Sequence, residues 1–209
     1  DLGDSDMAIE CYNTALQIEP KDVTALSNRG NSLRALRQFS EADASYEAAL
    51  TEYPQDLAAR IGRGICRFEL GEQEEGLHRL RSIIEQTGHS VALFEYSLLL
   101  CQQNRYEEAL ASLDRIVEDG LGSPEILNNR GECLAKLNRH EEALASFDQS
   151  LALAEDFTGA LFGKARLLVN LDRIDEARPV TQRLIDAATP QEKQQDYIQA
   201  LASACGIGI

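Results

Sequence analysis

Residues 39–54 read Phe-Ser-Glu-Ala-Asp-Ala-Ser-Tyr-Glu-Ala-Ala-Leu-Thr-Glu-Tyr-Pro, and five of them have an identical counterpart 34 positions earlier. The pairs are Ala8 and Ala42, Tyr12 and Tyr46, Ala15 and Ala49, Leu16 and Leu50, and Pro20 and Pro54. A fixed period of this length marks a stack of supersecondary units, each too thin to bury its apolar face alone. Outward from this stretch the period continues through Gly30 and Gly64, then Leu36 and Leu70. It shortens by one residue near Gly88 and resumes at Ala109, Ala143 and Ala177, each 34 apart. An acidic phrase travels with it: Ser40-Glu41-Ala42, Glu74-Glu75-Gly76, Glu107-Glu108-Ala109, Glu141-Glu142-Ala143 and Asp175-Glu176-Ala177. Five full units follow, over residues 23–56, 57–89, 90–123, 124–157 and 158–189, preceded by a half repeat over 1–22.

Within a unit the apolar residues keep helical spacing in two runs, as in Leu26, Leu33 and Leu36, then Ala42, Tyr46, Ala49 and Leu50. Each unit is therefore a helix A, a tight turn and a helix B, with breaks such as Leu70-Gly71-Glu72 and Leu137-Asn138-Arg139 making the turn. Gly30, Gly64 and Gly131, with Ala165 in the last unit, fall in the middle of helix A. Glycine there costs about 1 kcal/mol of helix propensity, so its presence implies that a neighbouring helix comes close. Tyr46 and Phe147 fill the space between pairs. Gly76 with Leu80, Leu113 and Thr181 depart from the pattern, so units two, three and five are expected to pack irregularly. Pro179, inside a helix B, is expected to kink it. Thr189-Pro190-Gln191-Glu192 has the form of a capping box with Pro at the first helical position, opening a C-terminal capping helix and tail over 190–209. Tyr197, Ile198, Leu201 and Cys205 form its apolar stripe.

The small residue of helix A, the small residue opening helix B, the aromatic four places later and the unit-ending Pro20 and Pro54 resemble the tetratricopeptide repeat. The resemblance covers nearly the whole chain. It implies an all-α fold: a right-handed α-solenoid of antiparallel helix pairs, the tetratricopeptide superhelix, of about 12 helices with the capping helix. It also implies a non-catalytic scaffold that binds a protein partner. In the members that hold a chaperone's terminal carboxylate, Lys and Asn residues of successive helices A do the work. The matching places here are Ser27, Asn31, Ala58, Gly62, Val91 and Glu95, and only Asn31 agrees, which disfavours that ligand. Short phrases such as Leu127-Asn128-Asn129-Arg130-Gly131-Glu132 are similar to those of bacterial arrays and of the repeat arms of protein O-glycosyltransferases. A substrate-recruiting arm of a larger enzyme and a homo-oligomeric assembly module therefore remain as alternatives. The uncapped half repeat at the N-terminus is the expected self-association surface.

Composition narrows the partner. The 209-residue chain carries a net charge of −15, which argues against nucleic acid and anionic membranes. Five Cys, at 11, 66, 101, 133 and 205, form no C-x-x-C pair, so neither a disulfide framework nor a zinc site is expected. Nor is a cofactor. No run is long and apolar enough to span a bilayer and no signal segment opens the chain, so a cytoplasmic protein is the default. The three His, at 78, 89 and 140, have no ligand or nucleophile at useful spacing and read as solvated; no catalytic residue is legible.

Binding is then expected on the inward face of the stacked helices A. The periodicity assigns to it Asn28 and Asn31 in unit one, Ile61, Ile65 and Phe68 in unit two, and Phe94 and Leu98 in unit three. Asn128 and Asn129 follow in unit four, then Phe162 and Arg166 in unit five. The amides suit an extended peptide backbone, because each can donate and accept. The apolar members form a floor that a partner covers, or else they are buried by irregular packing of their own units.

Overall fold

The computed structural model describes residues 2–189 and 195–208, with side chains from Ser5 onward. Twelve helices account for them: α1 (Leu2–Ile18), α2 (Val23–Ala35), α3 (Phe39–Glu52), α4 (Leu57–Glu69), α5 (Gln73–Thr87), α6 (Ser90–Gln102), α7 (Tyr106–Glu118), α8 (Pro124–Lys136), α9 (His140–Leu153), α10 (Thr158–Asn170), α11 (Ile174–Ala187) and α12 (Asp196–Ala204). No strand occurs among the described residues. The fold is all-α, a series of antiparallel helix pairs of the α-solenoid type. The helices gather into two compact units, Asp1–Leu99 and Leu100–Ile209.

Every helix A ends by one device. Arg37, Gly71, Asn104, Asn138 and Asp172 have φ of 59, 98, 59, 59 and 57°. This left-handed residue turns the chain so that the next backbone N–H reaches back over six residues: Gln38, Glu72, Arg105, Arg139 and Arg173 donate to the carbonyls of Leu33, Arg67, Leu100, Leu134 and Leu168 at 2.9–3.0 Å. Only one of the five is Gly, which is why the turn shows so weakly in the sequence.

Helix B opens on an ion pair in the later repeats. The guanidinium forks of Arg105, Arg139 and Arg173 bind the carboxylates of Glu108, Glu142 and Glu176, three residues on, at 2.6–2.8 Å. These forks hold the Glu142 and Glu176 carboxyls below the usual carboxylate range. The recurring acidic phrase is thus half of a two-part clasp whose basic half precedes it. Three helices A, α2, α4 and α8, are capped instead by Asp22, Asp56 and Ser123, whose side chains accept from backbone N–H groups of the first turn.

Tyr46, Leu80, Leu113, Phe147 and Thr181 occupy one repeat position, and all five are fully buried. The departures from the aromatic pattern therefore still sit inside the packing. In the first unit the Tyr46 ring lies between α2 and α4. A Cβ on Gly30 would stand 2.5 Å from it, and one on Gly62 2.3 Å. In the second unit Phe147 lies between α8 and α10, and the corresponding distances at Gly131 and Gly163 are 2.6 and 2.7 Å. Gly76 serves a different approach: a Cβ there would meet the Gly64 carbonyl oxygen at 2.6 Å, so α4 and α5 touch almost backbone to backbone. Asp43, buried on α3, anchors α4 through Arg63 at 3.2 Å and Arg67 at 2.7 Å.

The helical run of α11 continues through Pro179 to Ala187. The expected capping box at 189–192 lies outside the described residues from Pro190 onward. Ile198, Leu201 and Cys205 of the final stretch are buried; the Arg178 Nε donates to the Cys205 carbonyl at 3.0 Å, and Thr181 Oγ1 meets Cys205 Sγ at 3.4 Å.

Candidate functional site

In the first unit the helix A residues divide sharply. Ile61, Ile65 and Phe68 are buried, at 6, 5 and 3% exposure, so they are not an open apolar floor. Their own fold takes them up: the glycine at 76 brings α5 against α4, and the Phe68 Cβ would lie only 2.7 Å from a Cβ at that position. Phe94 and Leu98 remain half-buried, as does Asn28. Asn31 is exposed, and its Oδ1 accepts from the Tyr46 hydroxyl at 2.8 Å. Beside them stands Arg34, which the periodicity did not single out. Its Nη1 pairs with Glu95 Oε1 at 3.7 Å, which places α2 and α6 on one surface, while its Nε is enclosed without an acceptor.

In the second unit Asn128 and Asn129 are both half-buried but differ in what they have left to offer. Asn129 Nδ2 donates to the Glu125 carbonyl at 2.8 Å, one turn back on its own helix. Asn128 Oδ1 is enclosed with no donor. Phe162 does not face an empty groove: the Tyr197 ring of α12 meets it edge-on, with centroids 4.8 Å apart and planes at 68°. Arg166 also lies over the Phe162 ring, its guanidinium 5.2 Å from the centroid, and pairs with Glu132 of α8. The capping helix thus occupies the aromatic end of this surface.

Among the described residues no group of three or more His, Cys, Asp or Glu side chains could hold a metal ion. No described helix is long and apolar enough to cross a membrane. His78 is exposed, but His89 and His140 are half-buried, each with Nδ1 enclosed and unpartnered, and so are less solvated than their polar neighbours in sequence imply. Cys11 is exposed, whereas Cys66, Cys133 and Cys205 are buried and Cys101 is intermediate.

These features define a helix-pair repeat protein. The model of a family described as tetratricopeptide repeat matches residues 27–80 and 97–156, and further repeat models of that name match 1–36 and 134–205. The chain belongs to the tetratricopeptide repeat family, whose members are protein-interaction scaffolds. It is similar in fold to yeast Tom70, with a TM-score of 0.79 and 16% identity over 94% of this chain and 42% of Tom70. It is also similar to YrrB, described as a tetratricopeptide protein with an unusual peptide-binding site, with a TM-score of 0.65 and 18% identity over 93% of this chain and 99% of YrrB. The CTR9 homolog of Arabidopsis thaliana is 27% identical over 116 residues. That match takes in 54% of this chain and 11% of the plant protein, so the chain spans only a small part of this relative.

Proposed function

We propose that the chain is a non-catalytic scaffold that holds a segment of a protein partner against the helix A surface of its first unit. The observation that carries this reading is the group Asn28, Asn31, Phe94 and Leu98 beside Arg34, where a reachable amide adjoins half-buried apolar side chains. The side-chain amides of Asn28 and Asn31 would pair with the backbone of an extended segment, whose apolar side chains would cover Phe94 and Leu98. The peptide-binding description of YrrB supports the same mode. Asn129 and Arg166 are the corresponding candidates in the second unit, with fewer free groups.

The test is affinity capture with the wild-type chain and with the double substitution Asn31→Ala and Phe94→Ala, both checked for folding by circular dichroism. Recovery of the partner is expected to fall at least tenfold, by analogy with interface residues that cost about 1–2 kcal/mol each. Undiminished recovery by a folded variant would exclude this surface. A second reading, self-association through α1, is favoured by Met7 and Ile18, which are 60% and 84% exposed. Light scattering that gives a monomer mass at every concentration would remove it.

A further inference from the structure

The sulfurs of Cys101 and Cys133 are 3.3 Å apart. The two residues are 32 positions apart, on α6 and α8, and their spacing announces nothing. Both lie in the second compact unit. They differ in access: Cys133 is 1% exposed, while Cys101 is intermediate. We propose that Cys101 and Cys133 form a thiol–disulfide exchange site, in which Cys101 attacks a small-molecule disulfide such as oxidised glutathione and Cys133 resolves the adduct into an intramolecular bridge.

The chemistry balances in two displacements. The Cys101 thiolate attacks one sulfur of the small disulfide, forming a mixed disulfide and expelling one thiolate. The Cys133 sulfur then attacks Cys101 Sγ, expelling the second small thiolate, which leaves with the proton from Cys133. Two protein thiols have been oxidised to one disulfide and the small disulfide reduced to two thiols. The pair is arranged for this order of events. The thiol that a reagent can reach comes first, and the buried partner stands within contact distance behind it. The electrostatics agree: with Cys101 as the thiolate, the hydrogen bond between the two sulfurs lowers its pKa below that of an ordinary thiol, while the same bond together with burial raises that of Cys133. The other three cysteines lack such a neighbour: Cys66 is buried with its thiol pushed up to about 12, mainly by burial, and Cys205 contacts the Thr181 hydroxyl.

The experiment uses the full chain carrying Cys11→Ser, which removes the exposed thiol and leaves four. Incubation with excess oxidised glutathione under native conditions, followed by denaturation and thiol counting, should show four thiols fall to two. Tryptic mapping should then find residues 82–105 cross-linked to residues 131–136. Adding Cys133→Ser should instead trap glutathione on Cys101 as a stable adduct, and adding Cys101→Ser should leave both the bridge and the adduct unformed, with circular dichroism reporting the fold of each variant. Four thiols retained, a bridge that uses Cys66 or Cys205, or no adduct on Cys101 when Cys133 is replaced would each overturn the proposal. Because the parent chain itself gives the bridge, a variant that fails to fold does not remove the test.

Discussion

Tyr46 in the first unit and Phe147 in the second fill equivalent slots 101 residues apart, and the surroundings of the two rings differ at the ring tip. Both rings are fully buried, and both are flanked by a glycine from the helix before and a glycine from the helix after: Gly30 and Gly62, Gly131 and Gly163. At the ring tip the units part. Tyr46 gives its hydroxyl to Asn31, whereas beside Phe147 the position equivalent to Asn31 is Glu132, paired with Arg166 where the first unit has buried Ile65. One unit closes the tip with a hydrogen bond and keeps its apolar residues inside. The other closes it with an ion pair and a stacked cation, and lays α12 across the aromatic that results. The same steric slot thus supports two different outer surfaces.

The comparison is broken most severely by emptying the slots. Tyr46→Ala and Phe147→Ala should each cost about 3–5 kcal/mol, as large aromatic truncations in close-packed sites do. Repeat arrays couple mainly to nearest neighbours, so amide exchange should rise in α2–α4 for the first variant and in α8–α10 for the second. Exchange that rises equally in both sets of helices for either variant would show that the slots are not independent.

A smaller effect tests the glycines. Gly62→Ala and Gly163→Ala place a methyl 2.3 and 2.7 Å from a ring atom, which the rings can relieve only by leaving their slots. Each should cost about 1–3 kcal/mol in urea unfolding, against the gain in helix propensity. Gly122→Ala is the control, since its nearest contacts are ordinary at 3.7 Å, and it should change stability by no more than about 0.5 kcal/mol. Combining Gly62→Ala with Tyr46→Leu should cost less than the sum of the two, because the smaller side chain leaves room for the methyl. Strict additivity would mean the glycine answers to something other than the ring.

How far the sequence foretells this arrangement follows from what periodicity can encode. Ala42, Tyr46, Gly30 and Pro54 recur at a fixed interval, so the helix pairs and their order were legible from residue identity alone. Gly62 and Gly163 were not, because the ring they accommodate comes from a helix 16 residues back and the glycine recurs in only two units. The clasp of Arg139 on Glu142 was half read, its acidic part being periodic throughout and its basic part only in the later repeats. That the sequence leaves an open floor and a buried one as alternatives has a geometric cause. Ile61, Ile65 and Phe68 lie on one stripe of α4, and a stripe turned toward a neighbouring helix has the same spacing as one turned toward a groove. Only the close approach at Gly76 separates the two. The contact of Cys101 with Cys133 joins two different repeat positions, so no search at one period brings it out.

The finest difference between the units is the hydroxyl itself. At neutral pH Tyr46→Phe removes one hydrogen bond to an exposed amide that water can replace, and should cost about 1 kcal/mol or less. Phe147→Tyr would set a hydroxyl near the Glu132 carboxylate, which can accept from it, and should shift stability by no more than that. Alkali separates the two units further. Burial pushes the Tyr46 pKa from 10.0 up to about 12, with nearby Arg34 pulling it the other way. Between those values the folded chain keeps a proton that the unfolded chain releases. The stabilisation is therefore whole below pH 10 and is lost as pH rises toward 12, at up to about 1.4 kcal/mol per pH unit for one proton. Phe147 carries no such proton. Cys66 is shifted in the same direction but is present in both proteins, so it cancels from the comparison. Urea unfolding at a series of pH values should show the wild-type chain losing stability more steeply than Tyr46→Phe above pH 10, with tyrosinate absorbance rising at the transition. Parallel curves would mean that the ring tip of the first unit is open enough to ionise in place, and that the hydrogen bond to Asn31 does not seal it.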